Sequence, residues 1–162
     1  MGGGRQRRIA VLTSVAALAL LSAGCAEATN SLNPGRETIR AGHSSDLGSI
    51  LVDDESRTVY LFVADPPNQS ACYGACASIW PPVTTAGMPK PEGIDPSKLT
   101  TIHRSDGSTQ VAYGGHPLYY YQADTSRGDA DGEGLSQFGA EWYAISTAGK
   151  QVEPKRSGSN GS

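Results

Sequence analysis

The stretch YLFVAD, Tyr60 to Asp65, returns as YYYQAD from Tyr119 to Asp124. Both copies fit the pattern Tyr-x-aromatic-x-x-Asp. In an extended strand the side chains alternate between two faces, so the Tyr and the second aromatic residue point to the same side. The closing Asp can end the strand by accepting backbone N–H bonds from the loop that follows. The pattern therefore predicts a structural unit used twice, consisting of Tyr60, Phe62 and Asp65 in one copy and of Tyr119, Tyr121 and Asp124 in the other.

The surroundings of the two copies also correspond. A polar loop follows each motif, and a Trp comes next: Trp80 lies fifteen residues beyond Asp65, and Trp142 lies eighteen residues beyond Asp124. A turn precedes each motif as well. Repetition of strand, loop and Trp at similar spacing indicates an internal duplication, with repeat one at about 48–85 and repeat two at about 99–149.

The middle of the chain favours short strands joined by turns. With 20 Gly and 10 Pro in 162 residues, long helices are disfavoured. Runs rich in β-branched and aromatic residues predict hairpins or strands at 48–52 with 58–63, at 101–104 with 109–113, at 117–121 and at 142–146. Helical turns are expected only at 75–79 and 96–99. The predicted fold class is mainly β, with two β-rich half-repeats packed as one domain and joined by long loops.

The N-terminus predicts export. A basic lead containing Arg5, Arg7 and Arg8 precedes an apolar run at 9–21, which is shorter than the roughly 20 residues of a spanning helix. Cys25 follows directly after small residues, as at a bacterial lipoprotein cleavage site. We therefore expect a signal peptide at 1–24 and lipid attachment at Cys25. The alternative is an ordinary secreted protein in which this cysteine has no special role.

Charge limits the possible partners. Loss of residues 1–24 leaves 10 basic and 16 acidic residues, a net charge of −6 with His neutral. An acidic chain is a poor ligand for nucleic acid and for anionic lipid, so the expected membrane contact is the N-terminal lipid alone. Composition predicts a flexible tether at 25–41, the two-repeat domain at 42–153 and a disordered tail at 154–162.

The chain resembles the bacterial lipoproteins grouped as secreted repeats of unknown function, which carry a Yx(F/W/Y)xxD motif. The resemblance spans nearly all of residues 48–149. It rests on Leu51-Val52-Asp53, the two motif copies, Ser70-x-Cys72-x-Gly74-x-Cys76-Ala77, Trp80-Pro81-Pro82, Arg104-Ser105-Asp106-Gly107, Gln110-Val111, Pro117-Leu118 and Gly128-Asp129. It implies a two-repeat lipoprotein of the cell envelope and brings no settled activity.

Cys72 and Cys76 are the other two cysteines of the chain. In an exported protein, thiols this close are expected to be oxidised, and a short helix or turn can bring their Cα atoms within disulfide range. A structural disulfide would fix the loop that presents Trp80. The alternative is a functional dithiol, either redox-active or binding copper with a histidine as third ligand. His43, His103 and His116 are scattered in the sequence.

The loop after the second motif is rich in carboxylates. Asp124, Asp129, Asp131 and Glu133 alternate with glycines, a composition that suits a Ca²⁺ site. The spacing does not match an EF-hand, and a solvated acidic loop is the alternative. Apart from calcium or copper at these places, no cofactor is expected.

The sequence contains no motif of a nucleophile elbow, zinc protease or phosphate loop, so we do not expect an enzyme. The function predicted is a lipid-anchored envelope module that binds or scaffolds an unknown envelope protein or ligand outside the cytoplasm.

Several aromatic residues are candidates for an exposed binding face, since such residues are common at contact surfaces. They are Trp80, Tyr113 and Trp142, with Tyr119 and Tyr121. The alternative for them is a place in the core. The alternative function is a redox-active or copper-handling envelope protein.

Overall fold

The computed structural model describes residues 35–152 together with Met1. The predicted signal peptide, Cys25, the first part of the tether and the tail at 154–162 lie outside the described residues. Among the residues that are described, no helix is both long enough and apolar enough to span a membrane.

The described chain is mainly β, as predicted. Its strands are β1 (Thr38–Ser44), β2 (Gly48–Asp53), β3 (Tyr60–Phe62), β4 (Lys90–Glu92), β5 (Leu99–His103), β6 (Thr109–Tyr113), β7 (His116–Pro117), β8 (Leu135–Gln137) and β9 (Ala140–Ala144). They form three small sheets with the orders β2-β1-β4, β3-β9-β8 and β5-β6-β7. The helical parts of the described chain are α1 (Ala75–Ile79) and a 3₁₀ turn at Pro96–Lys98, both at predicted positions.

The start of the domain differs from the prediction. Strand β1 begins at Thr38, inside the segment assigned to the tether, and pairs antiparallel with β2 so that Ile39 faces Asp53. Ile39 is fully buried. Burial of this one side chain, with a ladder of backbone hydrogen bonds, orders a segment that composition alone marks as polar and flexible.

The predicted hairpin between 48–52 and 58–63 is only partly formed. The chain does turn at Asp53–Arg57, where the amide of Asp53 donates to the carbonyl of Arg57 over 3.1 Å. However, β2 pairs with β1, and β3 pairs with β9 across the molecule. The hairpin of β5 with β6 is confirmed, and Gly107 at its turn has a φ of 86°, in the left-handed region that favours glycine.

The two motif copies pair with each other. The amide of Tyr60 donates to the carbonyl of Tyr119 (2.9 Å), and the amide of Tyr119 donates to the carbonyl of Tyr60 (3.0 Å). On either side, each motif strand pairs with the Trp-bearing segment of the opposite copy. The backbone amide of Val63 donates to the carbonyl of Glu141 (3.0 Å), and the backbone amide of Gln122 donates to the carbonyl of Ile79 (2.9 Å). These reciprocal bonds are those of a pseudo-twofold relation between the repeats.

The aliphatic part of the core repeats the same exchange. In one half, Leu51 donates its amide proton to Ile145 (2.8 Å), a residue of the other repeat. In the other half, the backbone amide of Val111 donates to the carbonyl of Val83, also over 2.8 Å. All four side chains are fully buried. Each half of the core is thus completed by a strand from the opposite repeat, and the repeats form one interlocked domain.

Candidate functional site

The aromatic residues of both repeats meet in a single column, which we call the aromatic stack. Its order is Phe62, Trp142, Trp80, Tyr121, and successive ring centroids lie 4.1, 4.0 and 4.3 Å apart. The two indole planes differ by only 6°. Tyr60 meets Trp80 edge-on at 5.4 Å, and Tyr119 meets Trp142 edge-on at 5.2 Å, so the pseudo-twofold extends to the side chains.

The candidate residues for an exposed aromatic face lie in the core, which is the alternative that the sequence left open for them. Trp80, Tyr113 and Trp142 have no exposed surface, and Tyr119 is equally buried. Aromatic side chains bury a large apolar area and gain further from offset and edge-to-face contacts, which explains why they form the core of a domain this small. Only Tyr121, at one end of the column, keeps part of its ring exposed.

The tyrosines and aspartates of the motif cross between the copies. The Tyr60 hydroxyl donates to Oδ2 of Asp124 (2.5 Å), and the Tyr119 hydroxyl donates to Oδ2 of Asp65 (2.7 Å). Burial raises the pKa of both carboxyls above the usual value, an effect that the tyrosine hydrogen bonds partly oppose. Burial also raises the pKa of both tyrosines, so the hydroxyls stay protonated donors.

Each aspartate also closes its own loop, as the sequence predicted. Oδ1 of Asp65 accepts the amide proton of Ala71 (2.7 Å), and Oδ1 of Asp124 accepts that of Asp131 (3.0 Å). One carboxylate therefore fixes a loop in its own repeat and a tyrosine in the other. Both motif copies have a structural role in the described domain.

Cys72 and Cys76 form a disulfide, with their Cα atoms 5.3 Å apart. A turn that leads into α1 brings them together: the amide of Cys76 donates to the carbonyl of Tyr73 (3.1 Å). At the other end of α1 the amide of Trp80 donates to the carbonyl of Cys76 (2.8 Å). Cys72 is fully buried and Cys76 is 7% exposed. The bridge lies in the core beside the aromatic stack, and so it holds the loop that carries Trp80.

Arg104 is a buried residue whose role the sequence did not reveal. Its guanidinium donates to the Ser70 hydroxyl (2.7 Å) and to the carbonyl of Cys72 (2.7 Å), and it lies 4.4 Å from the ring centre of Tyr73. It also donates to the Gln110 side chain (2.8 Å). A buried cation requires such partners. The sequence pattern that could have indicated this role is Arg104-x-Asp106 before a turn. The same pattern is equally typical of an exposed ion pair.

The calcium candidates Asp124, Asp129, Asp131 and Glu133 are not brought together as a metal site. Oδ2 of Asp129 accepts the amide protons of Thr125 and Ser126, and Oε2 of Glu133 accepts that of Ala144. These bonds shape the loop itself. Within residues 35–152, carboxylates converge to metal-binding distance only at Glu37, Asp53 and Asp54, where Arg57 already pairs with Asp53 at 2.6 Å.

A glycine of this loop has a packing role. A Cβ on Gly132 would lie 2.8 Å from the Trp80 ring and 2.9 Å from the Tyr60 ring. The alternation of glycine with acids that suggested calcium therefore reflects, at this position, a close approach of backbone to aromatic rings.

Beside the exposed end of the stack lies a trough of three adjoining cavities of about 270, 240 and 190 Å³. Tyr121 and Gln122 border the first and second, and Arg57 and Asp124 border the second and third. The guanidinium carbon of Arg57 lies over the Tyr120 ring, 4.1 Å from its centre, and the Arg57 side chain is 45% exposed. A separate polar depression of about 510 Å³ separates the β1–β2 turn from the acidic loop.

The sequence model of one family, described as a secreted repeat of unknown function, matches residues 43–84 and again residues 100–146. Together these matches cover more than half of the chain. The chain belongs to this family. The resemblance predicted from the motifs is therefore confirmed, and the two matched segments coincide with the two interlocked repeats. No curated protein and no solved structure matches the chain.

Proposed function

We propose that the protein is a lipid-anchored, extracytoplasmic binding or scaffolding module of the cell envelope. Three features support the proposal: the basic and apolar leader ending at Cys25, the disulfide, and membership of a family of secreted repeats. In this proposal acyl chains on Cys25 hold the module at the membrane.

One observation carries the binding or scaffolding role. The first tyrosine and the aspartate of each motif copy bond across the pseudo-twofold, Tyr60 with Asp124 and Tyr119 with Asp65. The motif thus makes a rigid frame, and recognition is left to the surface that the frame presents. A preorganised surface loses less conformational entropy when it binds a partner.

The anchoring half of the proposal is tested by labelling the full chain in bacterial cells with an alkyne-bearing fatty acid. We expect the label and membrane retention in the wild type, and loss of both in Cys25→Ala. The double variant Cys72→Ala with Cys76→Ala is the matched control, since it removes the other thiols and leaves the anchor. Equal labelling of wild type and Cys25→Ala would refute anchoring through this residue.

The binding half is separated from the redox or copper alternative by the same double variant. Burial of both sulfurs supports a structural bridge, because a thiol exchange partner must reach a sulfur atom. We expect cross-linking in intact cells to yield the same envelope partners for wild type and double variant. Loss of these partners in a double variant that keeps the wild-type NMR spectrum, or copper uptake by the reduced wild type alone, would favour the alternative.

A further inference from the structure

The place where the pseudo-twofold breaks down indicates a site. At one end of the aromatic stack Phe62 is 4% exposed, and β8 pairs with β9 beside it. At the other end the equivalent residue is Tyr121, which is partly exposed. The loop between the motif and the Trp is shorter in repeat one than in repeat two. It contains α1 and the disulfide, where the loop of repeat two contains strand β8. The trough lies at this uncovered end.

The residues of the trough also differ from their symmetry mates. Tyr120, Tyr121 and Gln122 occupy the places that Leu61, Phe62 and Val63 occupy in repeat one. Repeat one therefore offers three apolar side chains, and repeat two offers two phenols and an exposed amide. The backbone course is shared, so the change of side chains is specific to this surface.

The charges of the trough are balanced. Glu55 and Asp124 line it together with Arg57 and Arg127. Within this lining Arg57 lies 3.4 Å from Oε2 of Glu55, so these two charges pair with each other. Such a surface gives no net attraction for an anion or a cation, and so it favours a neutral ligand.

The remaining lining suits a ligand with both apolar faces and hydroxyl groups. Tyr121, Ile79 and Pro81 supply a ring face and apolar contacts, while Gln122, Thr125 and Ser126 supply polar groups. Each cavity is smaller than the roughly 300 Å³ at which pockets for drug-sized ligands begin. A chain of small units, one to a cavity, fits three such depressions in a row better than one compact molecule.

An extended peptide fits less well. Peptides often add a strand to an open sheet edge. Here the amides of Tyr120 and Gln122 are already bonded to the carbonyls of Pro81 (2.8 Å) and Ile79 (2.9 Å). Recognition must therefore use side chains.

We propose that the trough, which has Ile79 at one end and Arg127 at the other, binds a neutral glycan chain. One sugar ring lies on Tyr121, and sugar hydroxyls bond to the Gln122 side chain and to the Arg57 guanidinium. This inference rests on the proposed function, because it names the ligand class of the binding module. It places the Tyr121 ring and the Gln122 amide of repeat two at the centre of the site, and repeat one contributes Arg57 and the apolar wall at Ile79 and Pro81.

The test uses the detergent-solubilised full chain and three probes: soluble β-1,4-linked oligomers of N-acetylglucosamine, β-1,4-linked oligomers of glucose, and a proline-rich peptide. Trp80 is a built-in reporter, since its ring stacks on Tyr121 at 4.3 Å. Binding is followed by tryptophan fluorescence and by NMR shifts of residues 121–127. We expect at least one glycan series to bind, with affinity increasing with oligomer length.

Gln122→Ala is the deciding variant, because the side chain is exposed and the fold does not depend on it. Loss of one hydrogen bond should weaken glycan binding about fivefold. Val63→Ala, at the symmetry-related exposed position in repeat one, should leave it unchanged. Tyr121→Leu should abolish binding, with folding checked by the NMR spectrum.

Glycan binding that resists both trough variants, binding of the peptide alone, or no binding by any probe would overturn the proposal. The wider function is judged separately. If envelope cross-linking persists while every glycan fails, the binding module stands and only the ligand class is wrong.

Discussion

At the scale of single residues, the crossed tyrosine–aspartate pairs explain why the motif contains these two residue types at this spacing. Tyr60 and Tyr119 each place a hydroxyl on the aspartate of the other repeat. A phenylalanine would fill the same space and leave an oxygen of a half-buried carboxylate without its donor, which is costly. The motif thus encodes the joining of the repeats as well as the strand.

We predict that Tyr60→Phe and Tyr119→Phe each lower the free energy of unfolding by about 1.5–3 kcal/mol, the range for hydrogen bonds to charged groups. Chemical denaturation measures the loss. Tyr143→Phe is the matched control, since that residue is only partly buried and lies outside the crossed pairs, and it should change stability by less than about 0.5 kcal/mol. Equal effects at all three positions would contradict the role assigned to the crossed pairs.

The same aspartates give the folding free energy a defined pH dependence. Burial raises the pKa of Asp65 and Asp124 above the unfolded value of 3.8, so the folded chain binds these protons at higher pH than the unfolded chain does. Their contribution to stability therefore increases as the pH falls through the folded pKa, and the gain is complete below 3.8. Asp106 has the opposite sign, because hydrogen bonds from Ser108 lower its pKa to about 2.

We expect Asp65→Asn with Asp124→Asn to gain less stability than the wild type when the pH is lowered from about 7 to about 4. Thermal unfolding across this range measures the difference. Asp106→Asn is the control: it should match the wild type in that window and lose less stability below 3.8, where the wild type protonates this side chain. A steeper acid gain in the double variant would reverse the signs assigned here.

At the scale of elements, some strands could be predicted from local sequence and others could not. The β5–β6 hairpin follows from Asp106-Gly107 between two β-favouring runs, because that signal is local. The partner of β3 does not, since its pairing with β9 joins residues about eighty positions apart and depends on the second repeat. The burial of the two Trp residues could not be predicted from local sequence either, because it also depends on contacts between the repeats. Each indole completes its stack only with the ring of the other repeat.

Arg104 illustrates a second limit. Its sequence neighbours suggest an exposed ion pair with Asp106, and that pair exists at 3.0 Å. Two further acceptors, the Ser70 hydroxyl and the carbonyl of Cys72, come from the loop of repeat one and meet the side chain only after folding. The residue therefore couples the hairpin of repeat two to the disulfide loop of repeat one.

We predict that Arg104→Ala lowers the free energy of unfolding by about 3 kcal/mol, because several buried acceptors lose their donor. It should also speed reduction of the Cys72–Cys76 disulfide by dithiothreitol, since the loop loses its anchor. Arg104→Lys should be intermediate, as an ammonium keeps the charge but cannot span the same acceptors. Arg127→Ala, at an exposed site, should change neither quantity. An unchanged reduction rate in Arg104→Ala would separate the arginine from the disulfide loop.

At the scale of the whole molecule, the exchange of strands makes the repeats interdependent. The motif strand of each repeat bonds to the Trp-bearing segment of the other, through Val63 with Glu141 and Gln122 with Ile79. The aliphatic core is exchanged in the same way at Ile145 and Val83. A single repeat therefore lacks both a partner for its motif strand and half of its core, and burial of apolar area is the main force available to a domain of this size.

We predict that cutting the chain in the exposed connection between Gly87 and Met88 leaves a folded complex of two fragments, whereas either fragment alone is unfolded. A protease site introduced there in the full chain permits the cut after folding. The uncut chain carrying the same site is the control for the insertion itself. Near-UV circular dichroism of the stacked tryptophans should survive the cut, disappear when the fragments are separated in denaturant, and return on mixing. A separated fragment that keeps a dispersed NMR spectrum would mean that one repeat can complete its own core, and the interlocked pairing would then be a packing of two independent units.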